Sequence, residues 1–256
     1  MKISAIVIAR DNERTIRRCI ESLRWADEII VVDSGSTDAT PEICRELGAH
    51  VHVTPDWPGH GPQKNRALDL ATGDWVLSID SDEWLTPELR SEIEGVISAP
   101  EASPGYAIPR RSSFCGRFMR HSGWWPDYVV RLFRRDSGRF TDDHTHERLL
   151  VQGSMGKLRE PIMHEAITDI DQMLLKMNAY SSASARSRHQ EGRRATLATA
   201  ILHGGWTFFR TYLLRLGFLD GREGFMLAVA NAEGSYYRYV KLMMLAERRD
   251  EVRRDG

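Results

Sequence analysis

Trp75-Val76-Leu77-Ser78-Ile79-Asp80-Ser81-Asp82 is an apolar run that ends in two carboxylates with one residue between them. The run has the length and content of a strand buried on both faces, as in a parallel sheet. Gly73-Asp74 before it stops a helix, read over Gln63 to Ala71. Working outward toward the N-terminus, the same alternation repeats. Ile3 to Ala9 reads as a strand, and Asp11 or Asn12 is placed to cap a helix with apolar positions Ile16, Cys19, Ile20 and Leu23. Glu28 to Val32 is the next strand, Pro41 to Leu47 the next helix, and His50 to Thr54 a further strand. Strand and helix in turn at these spacings predict an open, largely parallel α/β sheet. Ligands in such sheets bind at the carboxyl ends of the strands, where Arg10, Asp33 and Asp80 stand.

Beyond Asp82 the pattern changes. A helix over Glu88 to Ile97 is followed by short segments at Gly105 to Arg110, Tyr128 to Phe133 and His146 to Val151. These read as antiparallel strands that make the sheet mixed. The last third is helical, over Asp171 to Arg188, Thr196 to Leu216 and Gly224 to Glu247. The expected division is a sheet-bearing domain over residues 1–165, in two halves, 1–98 and 99–165. A helical extension fills 166–256.

Composition is that of a globular protein, with 41% hydrophobic and 28% charged residues. A net charge of −1 excludes a surface built for nucleic acid. From Arg186 onward 13 Lys and Arg face 8 Asp and Glu, a net +5. The three cysteines, Cys19, Cys44 and Cys115, have no metal-ligand spacing and read as reduced thiols of a cytosolic protein. The N-terminal apolar run is too short for a signal-peptide core. The stretch Leu197 to Phe218 is interrupted by His203, Arg210 and Arg215, so no transmembrane helix is expected.

Asp80 and Asp82 at a strand end suit a hard divalent cation, Mg²⁺ or Mn²⁺, that bridges the protein to a diphosphate. A solvated acidic turn leading into a helix from Glu83 to Leu85 is the plainer reading. Asp33 can accept from a uracil N–H or a ribose hydroxyl, or it can organise its own turn, Ser34-Gly35-Ser36-Thr37-Asp38. For Asp33 ligand binding is preferred, and for Asp38 the turn.

Four segments then occur in one order: Ser4 to Glu13, Val31 to Thr40, Gln63-Lys64-Asn65-Arg66-Ala67, and Leu77 to Leu85. In that order they resemble family 2 glycosyltransferases. The resemblance implies a GT-A fold, a Rossmann-like mixed sheet, and inverting transfer from a nucleotide sugar. It places Ala9, Arg10, Asn12, Glu13 and Asp33 at the nucleoside and Lys64 near the phosphates. It places Asp80, Ser81 and Asp82 at ribose and metal. Further segments, Gly123 to Asp127, Arg131-Leu132-Phe133, His146-Glu147, Pro161 to His164, Lys176 to Tyr180 and Gly217 to Phe225, resemble bacterial lipopolysaccharide core β-1,4-glucosyltransferases. That branch implies UDP-glucose as donor, a glycan or glycolipid acceptor, and work at the cytoplasmic face of the inner membrane. The Glu-Asp pair of many family 2 enzymes is not evident.

Inverting transfer needs a base opposite the leaving group. Glu147 is the preferred base and Asp127 the group that orients the acceptor hydroxyl. The plainer reading of Glu147 is an ion-pair partner of Arg148 or Arg131. Trp124 and Trp125, whose faces suit sugar C–H surfaces, are expected at the acceptor with Arg131, against a plain core role. His164 is weighed as a third metal ligand against a structural histidine, and a separate site on His144 and His146 is set aside. Aromatics and arginines between Thr196 and Leu216 pack as core or lie on an anionic membrane. The rival readings of function are a polyprenyl-phosphate glycosyltransferase using Arg110 and Arg111, and a non-catalytic nucleotide-sugar-binding module.

Overall fold

The computed structural model describes residues 1–142 and 147–254, with side chains through residue 247. His144 and His146 lie outside the described residues. The chain forms two compact units, one of residues 1–111 and 127–164, the other of 112–126 and 165–256.

In the first unit, β1 (Ile3–Ala9) is buried along its whole length, and its side chains alternate between two cores. Ile3, Ala5, Val7 and Ala9 enter one and Ile6 and Ile8 the other. β2 (Glu28–Asp33) and β4 (Trp75–Asp80) flank it in parallel. A period of two with both faces covered is why these strands read as unbroken apolar runs. α1 (Ile16–Leu23) and α2 (Thr40–Glu46) close the first core, and α3 (His60–Leu70) closes the second through Ala67 and Leu68. Each fully buried Ile or Leu contributes about 1.5–3 kcal/mol. β3 (His50–Val53) pairs with β2 at the sheet edge.

After β4 come β5 (Glu83–Trp84) and α4 (Pro87–Ser98). The helix expected over Glu88 to Ile97 spans Pro87–Ser98, where Thr86 accepts from the Leu89 N–H and proline fixes the first turn. β6 (Gly105–Phe114) and β7 (Arg117–Phe118) form a hairpin. β8 (Asp127–Arg134) runs antiparallel to both β4 and β6, which makes the sheet mixed as expected. β9 (Gly138–Phe140) and β10 (Leu149–Val151) form a separate two-stranded sheet, so the segment ending at Val151 does not join the main one. β11 (Met155–Lys157) pairs with β6, and β12 (Ile162–Ile167) pairs with β5. The main sheet runs β3-β2-β1-β4-β8-β6-β12-β5. The helix cap read at Asp11 or Asn12 falls elsewhere. Thr15 holds the N-cap position of α1 without a side-chain bond, and Asp11, at φ +52°, turns the chain.

In the second unit α5 (Ile170–Gln190), α6 (Leu197–Phe209) and α7 (Gly221–Arg254) pack together. Asp169 caps α5 and a Thr196–Thr199 capping box opens α6. The helix expected to reach Leu216 passes at Arg210 into a π-turn to Leu214. Leu216, at φ +55° before Gly217, ends it.

Candidate active site

The site is built on one polar triplet of α3. Gln63, Lys64 and Asn65 are all buried, and each ties a different segment. Gln63 donates to Ser34 at 2.9 Å and to Thr54 at 2.7 Å. Asn65 exchanges two bonds with the backbone of Phe140, at 2.9 and 3.0 Å. Lys64 lies between two carboxylates, 2.9 Å from Asp80 and 3.1 Å from Glu147. An ammonium only 4% exposed stays in such a place because both partners are acidic.

Asp80 ends β4. β8 runs beside it and brings in Arg131, which bonds both Asp80 oxygens and reaches Glu83 at 2.8 Å. Glu83 has no exposed surface. It also accepts from the Asp80 backbone N–H at 3.0 Å and pairs with Arg110 at 3.5 Å. Arg110 in turn holds Asp127 at 2.6 Å. Burial alone would raise the Asp80 carboxyl, but the charges and hydrogen bonds of Arg131 and Lys64 outweigh it and hold the group well below its usual value. Arg131 is shifted the other way, upward: burial would lower it, and Asp80 and Glu83 more than compensate. Lys64, Asp80, Arg110, Arg131 and Glu147 line one cleft of 360 Å³. A larger one, of 640 Å³, lies over Asp69, Arg139 and the β9–β10 hairpin; its Arg139–Asp69 pair is exposed, and no predicted site residue lines it.

Asp82 stands apart from this network. Its carboxylate is about one-third exposed and meets His164 Nε2 at 3.5 Å, because β12 pairs with β5 there. The pair offers an oxygen and an imidazole nitrogen on one side of a cation position. Divalent metals at diphosphate sites usually take one or two protein carboxylates and fill the rest with phosphate and water oxygens. Asp82 and His164 fit that pattern. Asp80, with both oxygens claimed by cations, does not add a third ligand, and among the described residues no three His, Cys, Asp or Glu side chains gather as a metal cluster.

Other expected residues take different parts. Asp33 is buried, with Oδ1 accepting from the Gly35 and Ser36 N–H groups at 3.2 and 2.9 Å and Oδ2 from the Ser36 hydroxyl. It holds its own turn in this way. Asp38, as read, accepts from Thr40 and from the Glu13 N–H. Ala9 is buried strand, and Ser81 is buried beside Asp80. Asn12 and Glu13 stitch their loop to the next one: the Asn12 N–H donates to Thr40 at 2.7 Å and the Ala39 N–H to Glu13 at 3.3 Å. Arg10 projects from the strand end with its side chain mostly exposed. Arg131 is corrected from acceptor contact to buried framework, since its guanidinium is committed to Asp80 and Glu83. Glu147 is ion-paired, with Lys64 rather than Arg148 or Arg131. Trp124 is partly buried in the second unit's small core, edge-on to Phe114 at 6.1 Å, which is the plain core role. Trp125 is half-buried in the same unit. Glu83 is the member of the network that sequence reasoning missed at this site, while Arg110 was read there only in the rival polyprenyl-phosphate reading. The signal for Glu83 was an acid directly before an aromatic-apolar pair, Trp84-Leu85.

The family model of glycosyl transferase family 2 matches residues 4–159, more than half of the chain, and the chain belongs to that family. An uncharacterized glycosyltransferase of Rickettsia felis is 31% identical over 94% of this chain and 89% of its own length. A lipopolysaccharide core biosynthesis glycosyltransferase, LpsC of Rhizobium meliloti, is 29% identical over 94% and 92%. The crystal structure of S. aureus TarS in complex with UDP superposes with a TM-score of 0.51 at 17% identity, over 97% of this chain and 92% of that one. The mixed sheet with its parallel β3-β2-β1-β4 half is thus a GT-A fold, as the resemblance implied.

Proposed function

We propose that the chain transfers a sugar with inversion from a nucleotide sugar, UDP-glucose, to a lipopolysaccharide-core or similar glycan. The observation that carries the reading is Lys64, a buried ammonium between the strand-end Asp80 and Glu147 at the 360 Å³ cleft. Likeness to LpsC supports the acceptor class.

Asp82 and His164 would hold the divalent ion, which supplies positive charge to offset the charge that builds on a departing diphosphate. Lys64 adds a second positive charge at the same edge. Asp80, fixed by Arg131, keeps that ammonium in place, so the cation is preorganised before the donor arrives. Glu147 takes the proton of the acceptor hydroxyl as the sugar passes through a cation-like state. Asp127, oriented by Arg110, accepts from a neighbouring acceptor hydroxyl. Arg110 is itself bound to Asp127 and Glu83, which leaves it ill placed to grip a phosphate acceptor.

The test is incubation of the purified chain with UDP-glucose, Mn²⁺ and a truncated core oligosaccharide. Glucosylated product with stoichiometric UDP release is expected. Transfer to polyprenyl phosphate with none to the oligosaccharide would overturn the acceptor, and UDP binding without turnover on either would leave a binding module.

A further inference from the structure

We propose that α6 and the turn after it form a surface that docks on anionic lipid bilayers. On the inward side of α6, Ala200 and Gly204 are buried, and a Cβ on Gly204 would lie 3.2 Å from Tyr236 of α7. The opposite side carries Leu202 (71% exposed), Trp206 (53%) and Phe209, with Leu213 and Leu214 continuing past the helix end. The Trp206 and Phe209 rings stack at 5.8 Å, so they present one flat apolar face. Large apolar side chains this exposed and this contiguous mark an interaction surface.

Charge identifies the occupant. Residues 193–219 contain no Asp or Glu, while Arg194, Arg210 and Arg215 bracket the apolar segment, Arg193 being paired with Glu191 at 2.9 Å. Arg210 and Arg215 are exposed. A second copy of the chain would bring the same arginines against each other, whereas a layer of anionic headgroups over acyl chains complements both the arginines and the apolar face. Among the described residues no helix is long and apolar enough to cross a membrane, so the surface lies on the bilayer without spanning it.

The experiment is flotation of the full chain with vesicles of phosphatidylcholine alone or with 30% phosphatidylglycerol, at low and high salt, beside light scattering for oligomeric state. Binding to the phosphatidylglycerol vesicles is expected, weaker at high salt. Arg210→Glu should weaken it about fivefold or more, following the contribution of one basic residue near an anionic surface. Leu202→Glu with Trp206→Glu should abolish it. Both positions are exposed, so circular dichroism of these variants should match the parent. No flotation at low salt, flotation unaffected by either variant, or a dimer that the double variant dissociates would overturn the proposal.

Discussion

At the scale of single residues, the site consists of acids that differ in what already holds them. Asp80 and Glu83 are held by Arg131, while Asp82 meets the imidazole of His164 at 3.5 Å. Removing Arg131 leaves Asp80 with Lys64 alone and the fully buried Glu83 with Arg110 at 3.5 Å as its remaining cation. Arg131→Met should therefore cost about 3–5 kcal/mol in urea denaturation, whereas Asp82→Ala should leave the unfolding midpoint nearly unchanged. The depressed Asp80 carboxyl has a defined pH signature. Its contribution to stability is complete above its unfolded pKa, about 3.9, and is lost as pH falls toward the lower folded value. Asp80→Asn should lower stability at pH 7 and flatten the loss below about pH 4, as read by chemical denaturation across pH. Glu147→Gln should reduce kcat by about 10²–10⁴ with little change in donor affinity, as measured by steady-state kinetics. If the variant keeps full kcat, Glu147 is not the base.

At the scale of elements, what was legible follows from local physics. The parallel strands announce themselves because both faces are buried, and the end of β4 therefore locates Asp80 and Asp82 from sequence alone. The ion pairs of that network were not legible, because they join distant parts of the chain: Arg131 is 51 residues from Asp80, and Glu147 is 83 from Lys64. Nothing local in Arg131-Leu132-Phe133 distinguishes a buried guanidinium from one that greets a ligand. For a related reason the two readings of Asp33 could not be separated, since an acid at a strand end serves its own turn as readily as a nucleoside. The contact between α3 and Thr141 gives an element-scale prediction. A Cβ on Gly61 would sit 1.8 Å from the Thr141 carbonyl oxygen and 3.4 Å from the Glu147 Cβ. Gly61→Ala must push that backbone aside, at about 1–3 kcal/mol. Because Glu147 lies against the same glycine, kcat should fall together with the thermal midpoint.

At the scale of the molecule, the chain belongs to glycosyl transferase family 2 and has the GT-A sheet, and the donor proposed for it would meet the charge of the Lys64 network. The most direct measurement is calorimetric titration of UDP into the protein, with and without Mn²⁺, for the parent chain and for Asp82→Asn. Mn²⁺ should tighten UDP binding to the parent by about tenfold or more, in line with a ligand-held cation at a diphosphate, and should do nothing for the variant. Equal affinity with and without Mn²⁺ in the parent, or an equal Mn²⁺ effect in the variant, would contradict a diphosphate bound through a cation on Asp82.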